Sequence, residues 1–344
     1  MNLFEIIKLK NTLFFAMACC LLILVECSKQ TEPQSGRIYE TDDIGKINTL
    51  NSKKQNGTNY RSVVDDCGRA VEVPDNPCKI VCLATADVEI LFAIGASGSL
   101  AGVPDGIKYP PAASAIRRIG GMYGRFNVEK IIGCNPDLVL MTISGWGQYR
   151  KHLDLLEKHN VTSLGLQYPR TFDELISHIR RLGFITGKVT EATSLADSLI
   201  HRRNAILEKT LPLDSSRRPR VYMEWISNGE RGSTHGKGER NHEIITIAGG
   251  NNIFADYQDI GSFTASDEEV LSRNPQIIIV TIDTTRIDAA KICAMIRRRA
   301  GWHQIDAVKY NRIYCIDAQL TWANPRLIEG IEQCARLIQP ELFK

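Results

Sequence analysis

A helix–turn–strand unit occurs twice in this chain, and its two copies align without a gap. Asn127-Val-Glu-Lys-Ile-Ile-Gly-Cys-Asn-Pro-Asp-Leu-Val-Leu-Met141 matches Ser266-Asp-Glu-Glu-Val-Leu-Ser-Arg-Asn-Pro-Gln-Ile-Ile-Ile-Val280. Each copy opens on a residue that caps a helix N-terminus and carries a glutamate two positions later. Each then turns at Asn-Pro and enters an apolar run. Between the copies lies Gly187–Leu211, in which Val189, Ala192, Leu195, Ala196, Leu199, Ile200, Ile206, Leu207 and Leu211 recur at three- and four-residue steps. That spacing predicts one amphipathic helix, about 37 Å long at 1.5 Å per residue, ending at Pro212. A repeat on both sides of an uninterrupted helix is most simply two similar α/β lobes joined by a strut.

The surrounding runs alternate in the same way. Residues 61–74 carry hairpin signals. Short strands are expected at Lys79–Leu83, Leu100–Val103, Asp137–Met141 and Val161–Leu166, with helices at Val88–Ile94, Asn127–Cys134 and Gln148–His159. After the long helix come strands at Arg220–Trp225, Gln276–Ile282 and Arg312–Ile316, and helices at His242–Ala248, Glu268–Ser272, Ile287–Arg299 and Pro325–Ile338. Alternation of this kind makes parallel sheets covered by helices. The expected fold is therefore α/β: two Rossmann-like lobes with parallel sheets, joined by a single long helix, with a ligand cleft between the lobes.

The N-terminus follows different rules. Leu13–Val25 is almost wholly apolar, sits behind Lys8 and Lys10, and ends at Glu26-Cys27. It is short for a membrane span and suits the apolar part of an export signal. A cysteine directly after such a run resembles a bacterial lipoprotein cleavage site, which makes Cys27 the lipidation candidate, although Glu26 departs from the usual small residue. Ser28–Tyr60 is polar with hardly an apolar cluster, as a solvated tether would be. The expected division is signal 1–27, tether 28–60, N-terminal lobe 61–186, linking helix 187–211 and C-terminal lobe 212–344. A net charge of +3 over 344 residues gives no pointer to nucleic acid. Beyond the signal, Cys67, Cys78, Cys82, Cys134, Cys293, Cys315 and Cys334 are odd in number and irregular in spacing, so no disulfide framework is expected. No cysteine pair has the companions of a zinc site, and small buried apolar residues is the expected role.

Four blocks now resemble one family: 79–96, 120–141, 234–256 and 311–343. They look like the substrate-binding proteins of ABC importers for iron–siderophores, haem and cobalamin, and the likeness runs from about Arg61 to Phe343. The resemblance implies a ligand between two lobes joined by one helix with little hinge motion. It also implies a working partnership with a permease and its ATPase, a monomeric protein, and a place outside the cytoplasm, anchored to the membrane through lipid. No resident cofactor or metal is implied; the ligand would be an iron chelate, a corrinoid or haem.

In open parallel sheets ligands bind beyond the carboxyl ends of the strands. That rule selects Ala84–Asp87, Thr142–Gly147, Ile226–Lys237, Asp283–Arg286 and Asp317–Asn324, with Gly121–Phe126 completing the first lobe's share. Tyr123, Trp146, Trp225 and Trp322 offer aromatic faces there, Arg125 and Arg231 fixed positive charge, and His235 a ring on a Gly-rich stretch. Tyr123 stands where the vitamin B12-binding member of the family carries a cleft aromatic. Ser266 and Glu269 have capping-box spacing, which leaves Glu268 without a local duty, and Glu129 is its counterpart in the first copy. These two resemble the family's docking glutamates, which pair with arginines on the permease. No nucleophile elbow, His-Glu-x-x-His helix or Cys–His pair is present, so no catalytic set is expected. The alternatives are a chelatase-like enzyme handling metals or tetrapyrroles outside the cytoplasm, and a surface receptor without a transporter.

Overall fold

A computed structural model describes residues 53–344, apart from 56–57, 122–124, 144–145, 228–230 and 259–260 and the side chains of 53–55, 58 and 146–148. The expected signal, with Cys27, and the tether up to residue 52 lie outside the described residues. The ladder begins inside the stretch assigned to the tether. β1 (Lys53–Gln55), β2 (Thr58–Val64) and β3 (Ala70–Pro74) pair antiparallel in that order. Residues 53–55 and 58–60 thus take part in this ladder. An edge strand needs only its main-chain groups to join a ladder, so its polar side chains gave no sign of it.

The first lobe's sheet holds β4 (Ile80–Cys82), β5 (Leu100–Gly102), β6 (Leu138–Ile143) and β7 (Ser163–Gln167), all parallel, in the order β5-β4-β6-β7. Its helices are α1 (Thr85–Ala93), α2 (Val128–Ile132), α3 (Trp146–Lys158) and α4 (Phe172–Thr186). The long helix is α5 (Val189–Thr210), shorter at both ends than expected. The second sheet holds β8 (Arg220–Trp225), β10 (Asn251–Asn252), β12 (Ile277–Ile282) and β13 (Ile313–Asp317), again all parallel, in the order β10-β8-β12-β13. A short antiparallel pair, β9 (Thr234–His235) with β11 (Ser262–Phe263), stands beside it. α6 (Arg240–Ile247), α7 (Asp267–Arg273), α8 (Ala289–Arg298), α9 (Asp306–Lys309) and α10 (Leu327–Ile338) complete the chain.

The repeated unit is α2–β6 in one lobe and α7–β12 in the other. Asn127 caps α2 by accepting the Lys130 N–H at 2.8 Å. Ser266 caps α7 in a closed box, as expected: the Glu269 carboxylate accepts the Ser266 N–H at 3.1 Å. α7 stops at Asn274 in the left-handed region, and in the first copy Asn135, two residues past the Gly133 cap of α2, takes the same conformation, which asparagine tolerates better than most residues.

Each sheet is buried on both faces, so its strands read as apolar runs rather than alternating ones. In the first sheet Ile80, Leu138, Leu140, Leu164 and Leu166 face one core, and Val81, Val139, Met141 and Ile143 face another under α2 and α3. In the second, Val221, Met223, Ile277, Ile279 and Ile316 face the first core again, while Tyr222, Ile278, Val280 and Ile313 face a third. One core therefore runs under both sheets. α4, α5, α6 and α10 fill it, through Phe172, Leu175, Ile179, Leu182, Leu199, Ile206, Ile244 and Ile331 among others.

α4 was not expected from the sequence, and it takes Gly187 for itself: that residue, at φ 71°, is the left-handed C-cap of α4 rather than the start of α5. α5 then buries Ala192, Ala196, Leu199 and Ile206, whereas Val189 and Leu211, counted in the expected stripe, are 49% and 67% exposed. The two helices approach closely because Gly183 faces Ala192. A second contact crosses between lobes at the start of α4, where the Phe172 N–H donates to Glu243 Oε2 of α6 at 2.5 Å. Burial pushes the Glu243 carboxyl up to about 7; the Phe172 N–H opposes that shift, and Asp173 adds to it.

Two outcomes follow from this packing. In Gly183→Ala the new Cβ would stand 2.2 Å from the Ala192 Cβ and 2.8 Å from the Lys188 carbonyl oxygen. The substitution should cost about 1–3 kcal/mol in urea unfolding; an unchanged midpoint would show that α4 and α5 do not meet so closely. For Glu243, the raised pKa means the folded chain holds this proton to higher pH than the unfolded chain, whose carboxyl titrates near 4.5. Its stabilisation is complete below the unfolded value and is lost as pH rises through about 7. Glu243→Gln should accordingly gain stability relative to the parent across that window, by up to about 3 kcal/mol. Parallel stability–pH curves for the two proteins would overturn the assignment.

Candidate functional site

The carboxyl ends of both sheets face the boundary between the lobes, and the loops there carry the site. At the end of β4 the chain enters α1 at once, three residues earlier than expected. Thr85, Ala86 and Asp87, read as part of a cleft loop, are consequently buried in the first turn of that helix. Asp87 is a hub. It accepts from the Thr142 hydroxyl of β6 at 2.5 Å and meets His178 Nε2 of α4 at 2.7 Å. This staple fixes the first turn of α1 to the end of β6 and to α4. A buried carboxylate needs such partners, since leaving it unpaired costs several times what the contacts return.

The second lobe's rim is built on Glu224, buried next to the end of β8. It accepts the Gly232 N–H at 2.7 Å and two bonds from Arg299, at 2.8 and 3.1 Å. The Trp225 and Ser233 backbones close the base of the intervening loop with mutual bonds of 2.8 and 3.0 Å. Trp225 is left 41% exposed at the strand end, which suits a ring that meets a ligand rather than one packed in the core. Trp322 is half-buried just past a 3-10 turn, Ala318–Thr321, that follows β13.

His235 sits on β9 with its ring mostly covered, and its Nδ1 is buried without a hydrogen-bond partner among the described residues. Burial, aided by nearby Arg240, holds its pKa down to about 4, so the ring is neutral at neutral pH. Arg125 is exposed at the edge of the first lobe. Arg231 is placed differently from the expectation. Its guanidinium is paired with Asp267, the first residue of α7, and Asp267 also accepts the Trp302 indole N–H at 2.9 Å. Arg231 is thus shared with a carboxylate, through one end of a guanidinium that stays about half exposed. Tyr123 lies outside the described residues. Trp146 opens α3, and its side chain lies outside them too.

Sequence reasoning missed the charges that join the lobes across this boundary. Lys108 reaches over to Asp283 at 2.6 Å and to the Thr285 hydroxyl at 2.7 Å. Those bonds hold the Asp283 carboxyl below the usual carboxylate range. Arg326 forks onto buried Glu89 of α1, at 2.9 and 3.0 Å, with its guanidinium 4.1 Å over the Tyr109 ring. Arg240 lies 4.6 Å over Tyr168 and bonds both to the Pro169 carbonyl of the first lobe and, at 3.1 Å, to the Thr321 carbonyl of the second. The Ala323 N–H completes the seam by donating to the Tyr168 hydroxyl at 3.2 Å. The loops after β4, β5 and β7 in one lobe are in this way tied to those after β12 and β13 in the other.

Glu129 and Glu268 take matching places in the first turns of α2 and α7, and both are exposed. Around Glu268 the neighbouring carboxylates are engaged: Asp267 by Arg231 and Trp302, and Glu269 by Ser266 and, at 2.5 Å, the Tyr257 hydroxyl. Among the described residues no three of His, Cys, Asp and Glu are grouped to hold a metal ion, and no helix is long and apolar enough to cross a membrane.

Known proteins share this design. A family model described as periplasmic binding protein matches residues 80–320. An uncharacterized ABC transporter substrate-binding lipoprotein of Bacillus subtilis, YvrC, is 30% identical over 293 residues, which cover 85% of this chain and 90% of that protein. The vitamin B12-binding protein of Salmonella typhimurium is 28% identical over 206 residues, 59% of this chain and 71% of that one. Among solved structures, the periplasmic vitamin B12 binding protein BtuF of Vibrio cholerae superposes with a TM-score of 0.64 at 23% identity, covering 78% of this chain and 99% of its own. The molybdate-bound MolA of Haemophilus influenzae does so at 0.69 and 20% identity, covering 82% and 92%. At such identities the structural likeness speaks to the fold. The family match runs from the first residue of β4 to beyond the end of β13 and takes in both parallel sheets with α5 between them, so the chain belongs to the periplasmic binding protein family.

Proposed function

We propose that this protein is the extracytoplasmic substrate-binding component of an ABC importer, capturing a metal chelate between its lobes and handing it to the membrane permease. The observation that carries this reading is the seam. Loops from the carboxyl ends of two parallel sheets converge there, and in this reading Trp225, Trp322, the neutral His235 and Arg125 are the residues that meet the ligand. Aromatic faces beside a few fixed polar groups suit a large, partly planar ligand such as a corrinoid, haem or an iron–siderophore. With Arg231 shared with Asp267, the case for a strongly anionic ligand rests more on Arg125, and the aromatic surfaces carry more of the reading. The names of the relatives point the same way, since they include vitamin B12-binding and substrate-binding lipoproteins. Acylation of Cys27 would hold the body near the membrane, with the permease and its ATPase as partners. The protein acts by binding, not by catalysis, as a monomer.

Titrating the purified protein with cyanocobalamin, haemin, a ferric siderophore and molybdate, while following tryptophan fluorescence, tests the capture step. One of them should bind more tightly than about 10 μM; no response to any would count against the reading. Delivery is tested separately. Glu129→Arg and Glu268→Arg should each block uptake in cells while leaving that affinity unchanged, because in this reading these exposed first-turn residues meet the permease and not the ligand. Normal uptake by both variants would remove the docking role. Small-angle scattering with and without ligand should show no change of several ångströms in radius of gyration, since the seam and the common core already hold the lobes together.

A further inference from the structure

Two of the cysteines meet between α8 and β13, the edge strand of the second sheet. The Cys293 and Cys315 sulfurs are 3.7 Å apart, and both residues are half-buried against the core that includes Ile278, Ile292 and Ile296. Each sulfur leans on the other's element: Cys315 Sγ lies 3.7 Å from the Ala289 carbonyl of α8, and Cys293 Sγ 3.8 Å from the Ile313 carbonyl of β13. We propose that Cys293 and Cys315 form a dithiol–disulfide site, which a disulfide oxidant closes into a covalent tie between α8 and the edge strand.

The geometry asks little. A disulfide has its sulfurs about 2.05 Å apart, so the pair must close by about 1.7 Å. The step balances as thiol–disulfide exchange. One cysteine loses its proton to solvent, and its thiolate attacks the oxidant, breaking that S–S bond and releasing one thiol. The second cysteine then attacks the mixed disulfide and releases the other thiol. Two cysteine thiols are oxidised and one external disulfide is reduced to two thiols. Burial and the neighbouring Cys293 push the Cys315 thiol up to about 12. Its thiolate is a poor leaving group, which slows reduction by attack at the Cys293 sulfur. The ring it closes lies within a single β12–α8–β13 crossover and joins positions 22 apart, restricting the unfolded chain without crossing the cleft. Cys82 and Cys334, by contrast, are fully buried, and Cys78 is exposed on the surface.

The test uses the full chain, incubated with excess oxidised glutathione, then denatured, alkylated with iodoacetamide and mapped by mass spectrometry. The expected product is a peptide linking Cys293 to Cys315, with two fewer alkylated cysteines than in the reduced protein and a melting temperature several degrees higher, reversed by dithiothreitol. Cys293→Ser should abolish both the link and the temperature shift. The proposal is overturned if both cysteines remain alkylated, if each carries glutathione instead, if either links to another cysteine, or if the link forms without raising the melting temperature.

Discussion

The lobes of this protein share one hydrophobic core, and most of its other properties depend on that. A two-lobed binding protein can be built as two independent cores with a hinge between them. Here Leu138, Leu164 and Phe172 from the first lobe and Val221, Ile277 and Ile331 from the second lie in a single buried cluster, with α4 and α5 laid along it. Relative movement of the lobes would expose apolar surface, at about 25 cal/mol for each Å² uncovered. The long helix is therefore less a free strut than one layer of a continuous interior. Its small residues, Ala192 and Ala196, allow α4 to approach through Gly183, and larger side chains there would hold the two helices apart.

The ionic seam adds direction to that restraint. Glu89–Arg326 is a desolvated pair, so its value lies less in net stability than in what its loss would cost: a charge left buried alone. Lys108–Asp283 is more exposed and correspondingly weaker, though the Thr285 hydroxyl fixes its geometry. Together these contacts place the loops of both lobes before any ligand arrives. Pre-placed loops lose less conformational freedom on binding, which is how a modest contact area can still give useful affinity.

How much of this was legible follows from where the information sits along the chain. The repeat was visible because each copy is local: cap, glutamate, Asn-Pro turn and apolar strand lie within a few residues, and the structure places α2–β6 and α7–β12 accordingly. The capping box at Ser266 and Glu269 was legible for the same reason. The seam was not, because its partners are remote in sequence; Lys108 and Asp283 are 175 positions apart, and Glu89 and Arg326 are 237 apart. No spacing rule connects residues so distant. Asp87 looked like a loop residue and is a buried hub, since only the approach of His178 on the unexpected α4 reveals its role. The polar strand β1 was hidden by the opposite problem: main-chain pairing leaves no mark on composition.

The charged residues show how a neighbour changes what residue type alone suggests. Arg231 was chosen as a free cation because arginine in a cleft loop suits an anion, yet Asp267 claims it, and in doing so steadies the first turn of α7. An anionic ligand reaching Arg231 would have to compete with that carboxylate at close range. The same pairing bears on the other end of the problem. With Asp267 and Glu269 both committed to neighbours, Glu268 is the one acidic residue of that turn directed outward, and its carboxylate also benefits from the positive end of the helix dipole. A single ion pair thus engages Arg231 and Asp267 together and leaves Glu268 exposed beside it, so one local contact bears on the charge that this end of the lobe presents in both directions.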